Sequence, residues 1–158
     1  MRFVIGSDHA GKELKQKFKD QMLDLELKVS DKSPHNEEDD DYPDFAEKVV
    51  EDLDDDSMGL LICGTGIGMS IAANRYEGIR AALIKNQEEA RLARAHNNAN
   101  ILVLGANNRL STGDVRSILI SFMKTEFEGG RHKTRVDKLD DYEDDDTEEY
   151  DDDDDEEK

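Results

Sequence analysis

Met58-Gly59-Leu60-Leu61-Ile62 is an unbroken apolar run that stops at Cys63-Gly64-Thr65-Gly66-Ile67-Gly68 and resumes as the helical stretch Met69 to Asn74. A strand with no polar face must be covered on both sides, as a central strand of a parallel sheet is. Its passage through alternate glycines straight into a helix predicts a crossover rather than a hairpin, because parallel neighbours need a long connection. The rest of the chain repeats the alternation. Arg2 to Ile5 reads as a strand ending at Gly6-Ser7-Asp8-His9, and residues 11–24 place Leu14, Phe18 and Met22 on one helical stripe. Further strands are predicted at Leu25 to Val29, Arg80 to Ile84 and Asn100 to Leu104. Helices are predicted after Pro43, which suits a first turn, over Gln87 to His96 and over Asp114 to Phe127. Strands alternating with helices imply right-handed crossovers. The predicted fold is therefore α/β: a three-layer α/β/α sandwich around a five-stranded parallel sheet, Rossmann-like.

Charge divides the chain in two. Of 158 residues, 40 are acidic and 21 basic, a net charge of −19. Residues 137–158 hold 16 of those acids against two lysines, leaving 24 acids and 19 bases in residues 1–136. One domain is expected over residues 1–136, a size that buries roughly two-thirds of its unfolded surface. Residues 137–158 are expected to be an acidic, disordered tail, too poor in apolar side chains to order themselves. No apolar run approaches the ~18–20 residues of a membrane span, and Met1 to Gly6 is too short for a signal-peptide core. The lone Cys63 forms no intrachain disulfide, which suits a reducing cytoplasm. No cysteine–histidine spacing suggests a zinc site, and an acidic chain without a basic stripe is repelled by nucleic acid phosphates.

In open parallel sheets, ligands bind beyond the carboxyl ends of the strands. The first strand delivers Asp8 and His9 to that edge, the third delivers Cys63 and its glycines, the fifth delivers Gly105 to Arg109, and the fourth helix ends there at His96-Asn97. The glycine loop leaves backbone N–H groups free to face a phosphate or a developing oxyanion, and is equally a turn that only permits close packing. It lacks the Lys-Ser/Thr of a P-loop and the full dinucleotide fingerprint. Cys63, beside a helix start, is in a setting that favours thiolate, although single cysteines are commonly inert core residues. Asp8-His9 fits an acid–base pair or a simple turn, and His96 fits a reactive group or a helix C-terminal cap. Arg131 and Arg135 are four residues apart, so on a helix they share a face suited to a phosphate monoester; their alternative is a solvated basic turn.

Five blocks occur in one order: GSDHAG at 6–11, DYPDFA at 41–46, CGTGIGMSIAANRYEGIRAAL at 63–83, ARAHNNANILVLGANN at 93–108 and EGGRHKTRV at 128–136. Together they resemble the type B ribose-5-phosphate isomerase family, which also contains the galactose-6-phosphate isomerase subunits, over residues 1–136. The resemblance implies a cofactor-free, metal-free aldose–ketose isomerase working through an enediolate in the non-oxidative pentose phosphate pathway. It implies Cys63 as the base between C1 and C2, and His96 as the residue that helps open the furanose ring with Asp8 as its polar neighbour. Thr65 then assists proton movement at the oxygens, and the backbone from Gly64 through Gly66, Ile67, Gly68 and Met69 to Ser70 holds the enediolate. His9, Arg131 and Arg135 match phosphate-binding positions, with Arg109 a weaker candidate, and Asn97 and Tyr42 match substrate contacts. One family branch carries a glutamate base further along the loop. Met69 stands at that position here and cannot act as a base, so the role falls to Cys63.

The resemblance also implies active sites shared between subunits, hence a homodimer or a dimer of dimers acting on a phosphorylated sugar, with no nucleic acid or membrane partner. Two departures stand out: the acidic loop Ser33 to Asp40 close to an anionic substrate, and the acidic tail, read as a solvated appendage or a handle for a basic partner. Ribose 5-phosphate is the expected substrate. A six-carbon sugar phosphate (galactose or allose 6-phosphate) is the runner-up within the same chemistry, and a non-catalytic anion- or nucleotide-binding module is the alternative of another class.

Overall fold

A computed structural model describes residues 1–141. Five strands, β1 (Arg2–Ser7), β2 (Lys28–Asp31), β3 (Ser57–Cys63), β4 (Ala81–Leu83) and β5 (Ile101–Gly105), form one all-parallel sheet in the order β2-β1-β3-β5-β4. The helices are α1 (Lys12–Asp24), α2 (Tyr42–Glu51), α3 (Ile67–Ala73), α4 (Gln87–Asn97), α5 (Thr112–Lys124) and α6 (Arg131–Asp140). Alternating side chains of each strand supply two cores. Phe3, Ile5, Leu60, Ile62, Leu102 and Leu104 pack with the apolar stripes of α1, α4 and α5, including Phe18, Ala90 and Phe122. Val4, Leu61, Cys63, Ile101 and Val103 pack with Phe45 and Val49 of α2 and Met69 and Ala73 of α3. The expected three-layer α/β/α sandwich is therefore present. No helix among the described residues is long and apolar enough to cross a membrane.

Three expectations shift. Leu25 to Leu27 is not strand: the N–H groups of Leu25 and Leu27 donate back to Gln21 and Met22, and Glu26 takes a left-handed φ of 56°. Alternating leucines there close the last turn of α1, a C-terminal motif that imitates a strand pattern, and β2 starts at Lys28. The helix expected over Asp114 to Phe127 starts two residues earlier, because Ser111 and Asp114 form a reciprocal capping box, and stops at Lys124. Of the two readings left open for Arg131 and Arg135, the helix is the one present: α6 follows a Gly129-Gly130 turn with positive φ at both residues and runs to Asp140, past the expected boundary at residue 136 and into the acidic segment. From Tyr142 on, the expected tail lies outside the described residues.

Strand order reverses between β1 and β3, whose crossovers leave to opposite sides. That switch point opens a crevice at the carboxyl ends, where Asp8 follows β1 and Cys63 ends β3. The two ends are tied by the Asp8 N–H donating to the Ile62 carbonyl at 3.2 Å.

Candidate active site

Cys63 is buried at the end of β3, and its Sγ accepts the Gly66 N–H at 3.2 Å. Gly66 has φ 78°, and a Cβ there would stand 2.9 Å from the Leu104 carbonyl carbon, so only glycine closes this turn. The Ile67 N–H donates to Thr65 Oγ1 at 3.2 Å, with Thr65 exposed. Gly64 accepts the Asn107 N–H at 3.0 Å, which pins the loop to the end of β5. Gly68 and Met69 open the first turn of α3, where N–H groups have no intrahelical partner. The Met69 side chain is fully buried in the core, so only its backbone faces the crevice edge, while Ile67 is exposed and Ser70 half-buried. Tyr42, the first residue of α2, lays its ring over Gly68: a Cβ on that glycine would come within 2.5 Å of the ring.

Asp8 is buried, and its carboxylate accepts the Gly11 N–H at 3.1 Å in the short 3₁₀ turn His9–Gly11. Burial raises its pKa, and the bond from Gly11 and the neighbouring His9 only partly oppose this. His9 is exposed but tethered. Its Nδ1 lies 2.8 Å from Asp40 Oδ1 and its backbone N–H donates to the same oxygen at 2.9 Å. A carboxylate only accepts, so the proton sits on Nδ1, and this hydrogen bond raises the imidazole pKa above its ordinary value. Asn36 holds Asp40 in place, donating to its carboxylate and to the Ser7 carbonyl, each at 2.8 Å. The acidic loop therefore places one carboxylate on a phosphate-binding candidate. Composition flagged the loop but not the single residue that matters.

A second group lies at the end of α4. Arg131 and Arg135 share an exposed face of α6, as their spacing required. Neither guanidinium pairs with a carboxylate among the described residues, although acids outnumber bases. Arg109, with φ 49°, lines a cavity of about 330 Å³ with Ala10, Glu13 and Lys17, beside the His9 turn. His96 sits on the last turn of α4 with Asn97 exposed after it, and Asn98 in the left-handed conformation ends the helix. The sequence pattern did not single out two further members. His132 is buried and stacks on His96, and Glu128 Oε2 lies 3.8 Å from His96 Nε2 and 3.7 Å from His132 Nε2. Burial, then the charges of His96 and Arg131, lower the His132 pKa. Their signal was present in the Glu128-Gly129-Gly130-Arg131-His132 block, read there only for its arginine.

The structure thus brings Asp8, His9, Tyr42 and the Cys63 loop together at the switch point, and His96, Asn97, Arg131 and Arg135 together at the α4–α6 junction. It does not join the two groups within one chain: α4 ends where the chain turns into β5, so His96 and Asn97 lie at the amino edge of the sheet and not, as expected, at the carboxyl edge with Cys63, and among the described residues no hydrogen bond or ion pair contains a member of both. His96, Glu128 and His132 are the residues placed to hold a metal, with ligand atoms within 4.8 Å of one another. Their rings, however, stack in nearly parallel planes, and two such planes do not share the point where a tetrahedral ion would sit.

The sequence profile described as ribose/galactose isomerase matches residues 3–139. The chain is 34% identical to ribose-5-phosphate isomerase B of Escherichia coli over 140 residues, covering 87% of this chain and 93% of that protein. Its structure is similar to that of a ribose 5-phosphate isomerase of Thermotoga maritima, with a TM-score of 0.81 and 49% identity over 88% of this chain and 97% of the other. Ribose-5-phosphate isomerase B of Mycoplasma genitalium with bound ribulose-5-phosphate gives a TM-score of 0.84 and 40% identity over 90% of this chain and 95% of that one.

Proposed function

The chain belongs to the ribose/galactose isomerase family, and from that premise we infer that it interconverts ribose 5-phosphate and ribulose 5-phosphate with Cys63 as the base. The observation that carries the assignment of the base is the Cys63 thiol at the switch point, accepting a backbone N–H inside a loop that also presents Thr65.

Ribose 5-phosphate enters as a furanose. His96 accepts the C1 hydroxyl proton, the C1–O4 bond breaks, and the ring oxygen takes the proton back, leaving an aldehyde at C1. The Cys63 thiolate removes the proton on C2, and the C1 carbonyl electrons move onto O1 as the enediolate forms. Donors held in place for that charge add roughly 10²–10³ in rate each; between Gly64 and Ser70 the N–H groups of Gly64, Thr65, Gly68 and Met69 are left for the task, since Gly66 donates to Cys63, Ile67 to Thr65 and Ser70 to Gly66. Thr65 passes the O2 proton toward O1, and the thiol returns its proton to C1, which leaves the ketone at C2. Atoms and charge balance without a cofactor. Asp8, buried beside the crevice with its pKa raised by that burial, is the polar neighbour that His96 of the partner subunit meets in this reading. His9, Arg131 and Arg135 grip the phosphate, with Arg109 at the margin.

Because the two residue groups do not meet in one chain, the reading includes a homodimer in which His96, Asn97, Arg131 and Arg135 of one subunit face Cys63 of the other. A thiolate base also suits the reducing cytoplasm.

The test is turnover of ribose 5-phosphate in EDTA by wild type and Cys63→Ala. Activity that survives chelation and disappears in the variant is expected; activity retained by Cys63→Ala overturns the choice of base. A folded wild type inactive on ribose 5-phosphate but active on a six-carbon sugar phosphate moves the substrate assignment. Mixing inactive Cys63→Ala with inactive Arg131→Ala/Arg135→Ala chains is expected to restore about a quarter of wild-type activity, since half the dimers are mixed and each holds one intact shared site.

A further inference from the structure

Nothing in the reaction above uses His132, a buried imidazole next to a phosphate-binding candidate. Its ring lies on that of His96, centroids 4.2 Å apart and planes within 10°. The frame around the pair is fixed on both sides. The Glu128 N–H donates to the Ala95 carbonyl of α4, and the His132 N–H to the Gly129 carbonyl, each at 3.0 Å. His96 alone would be free to rotate, since its side chain is 35% exposed and makes no hydrogen bond of its own among the described residues. A flat buried neighbour is what holds its plane.

We propose that His132 is a positioning residue for furanose opening: its face sets the plane of the His96 imidazole and supports the charge that imidazole carries between the C1 hydroxyl and the ring oxygen. This rests on the reading of His96 as the ring-opening residue. An imidazolium over an aromatic face is stabilised by the ring's electron density, and the Glu128 carboxylate at the edge of the stack adds an opposite charge. Both forms of His96 therefore stay in one orientation, as a group that must take a proton from one oxygen and return it to another requires.

The substrate chemistry supplies the assay. Ribose 5-phosphate is cyclic, but ribulose 5-phosphate carries its phosphate on the hydroxyl that would close a ketofuranose, so it is always open-chain. Only the aldose direction needs ring opening. Wild type, His96→Asn, His132→Ala and His132→Phe are compared in both directions at saturation. His96→Asn and His132→Ala are each expected to lower kcat for the aldose about tenfold or more, while kcat for the ketose stays within about twofold. The aldose KM falls together with its kcat, because an unopened furanose still binds and the overall equilibrium is fixed. His132→Phe keeps a flat face and is expected to recover most of the aldose rate.

Unchanged ketose turnover also reports that each variant is folded. Equal losses in both directions for His96→Asn, or none, would overturn the reading of His96 and this inference with it. A directional loss in His96→Asn accompanied by no loss, or an equal loss in both directions, in His132→Ala would overturn the inference alone. So would a His132→Phe enzyme no faster on the aldose than His132→Ala.

Discussion

Gly68→Ala should change sign according to what stands at position 42. Gly68 lies in the first turn of α3 at ordinary helical φ, so alanine gains backbone rigidity worth about 0.5–1 kcal/mol. Against that, its new Cβ would meet Tyr42 Cζ at 2.5 Å and the hydroxyl oxygen at 2.8 Å. The ring cannot keep that position. It is 38% exposed, so it swings outward and loses the burial it has against α3, about 1–2 kcal/mol on the usual scale for an aromatic side chain. In the wild-type background Gly68→Ala is therefore neutral to about 1.5 kcal/mol destabilising. In Tyr42→Ala, where nothing occupies the space, it becomes stabilising by about 0.5–1 kcal/mol. Urea unfolding of the four proteins at one protein concentration measures the cycle, read from midpoints at constant m-value. A coupling of about 1–2 kcal/mol is expected; additivity within about 0.3 kcal/mol would refute the placement of Tyr42 over the glycine loop. If Tyr42 touches substrate, Gly68→Ala also raises KM in a protein of near-native stability.

Asp40→Asn removes the carboxylate charge behind the hydrogen bond that raises the His9 pKa, leaving only a neutral acceptor; in the variant the imidazole loses its charge at lower pH, so the rise of KM with pH begins earlier than in wild type, as pH profiles of the two enzymes would show. Asp52 titrates at about 2, held down by Lys32, Ser30 and Arg2. A depressed native pKa contributes stability that is present above the ordinary carboxylate value near 3.9 and lost as pH falls toward 2; Asp52→Asn should flatten the acid limb of the urea midpoint between pH 4 and 2 and leave it unchanged in shape above pH 5. Lys15→Met strands the Asp31 carboxylate, which burial pushes up in pKa but the Lys15, Ser33 and Lys19 bonds hold below the usual range. Because Lys19 remains at 3.1 Å, the expected loss is about 3 kcal/mol, the low end for breaking a buried pair, measured by urea midpoint.

What was legible in the sequence was whatever depends on local pattern. Met58 to Ile62 could only be a covered strand, and the stripe Leu14, Phe18, Met22 could only be a helix face. Leu25 to Leu27 deceived because a left-handed Glu26 after a helix places leucines as a strand would, and that conformation leaves no mark on apolar spacing. Strand order was not legible either: that β1 and β3 are neighbours follows from packing across both cores. The edge residues Asp8, His9, Cys63 and Thr65 announced themselves by standing where apolar runs stop. Asp40 did not, being one carboxylate among several in its loop until the Asn36 bonds selected it. His132 was hidden by its buried position inside a basic segment, where its partner, His96, is 36 residues away in sequence.

The division of the proposed site between two regions follows from how parallel sheets dispose of their ends. Asp8 and Cys63 sit where β1 and β3 stop, and each is fixed by backbone bonds that a strand terminus leaves to be made: Asp8 to Ile62 and Gly11, Cys63 to Gly66. A base and an enediolate cradle benefit from that rigidity, since a donor counts only if it needs no rearrangement as charge develops. The phosphate has a different requirement, which is exposed cations with no competing carboxylate. In a body with more acids than bases, such cations survive on a peripheral helix turned away from its own chain's acids, and Arg131 and Arg135 on α6 meet that condition among the described residues. A cradle at the sheet edge and a cation pair on an outer helix are kept apart within one chain, because α6 packs on the end of α4, where the chain turns into β5 at the amino edge of the sheet, while Cys63 closes β3 at the carboxyl edge. Two chains facing each other would resolve both demands at once, and the mixed-variant experiment tests that proposed pairing directly.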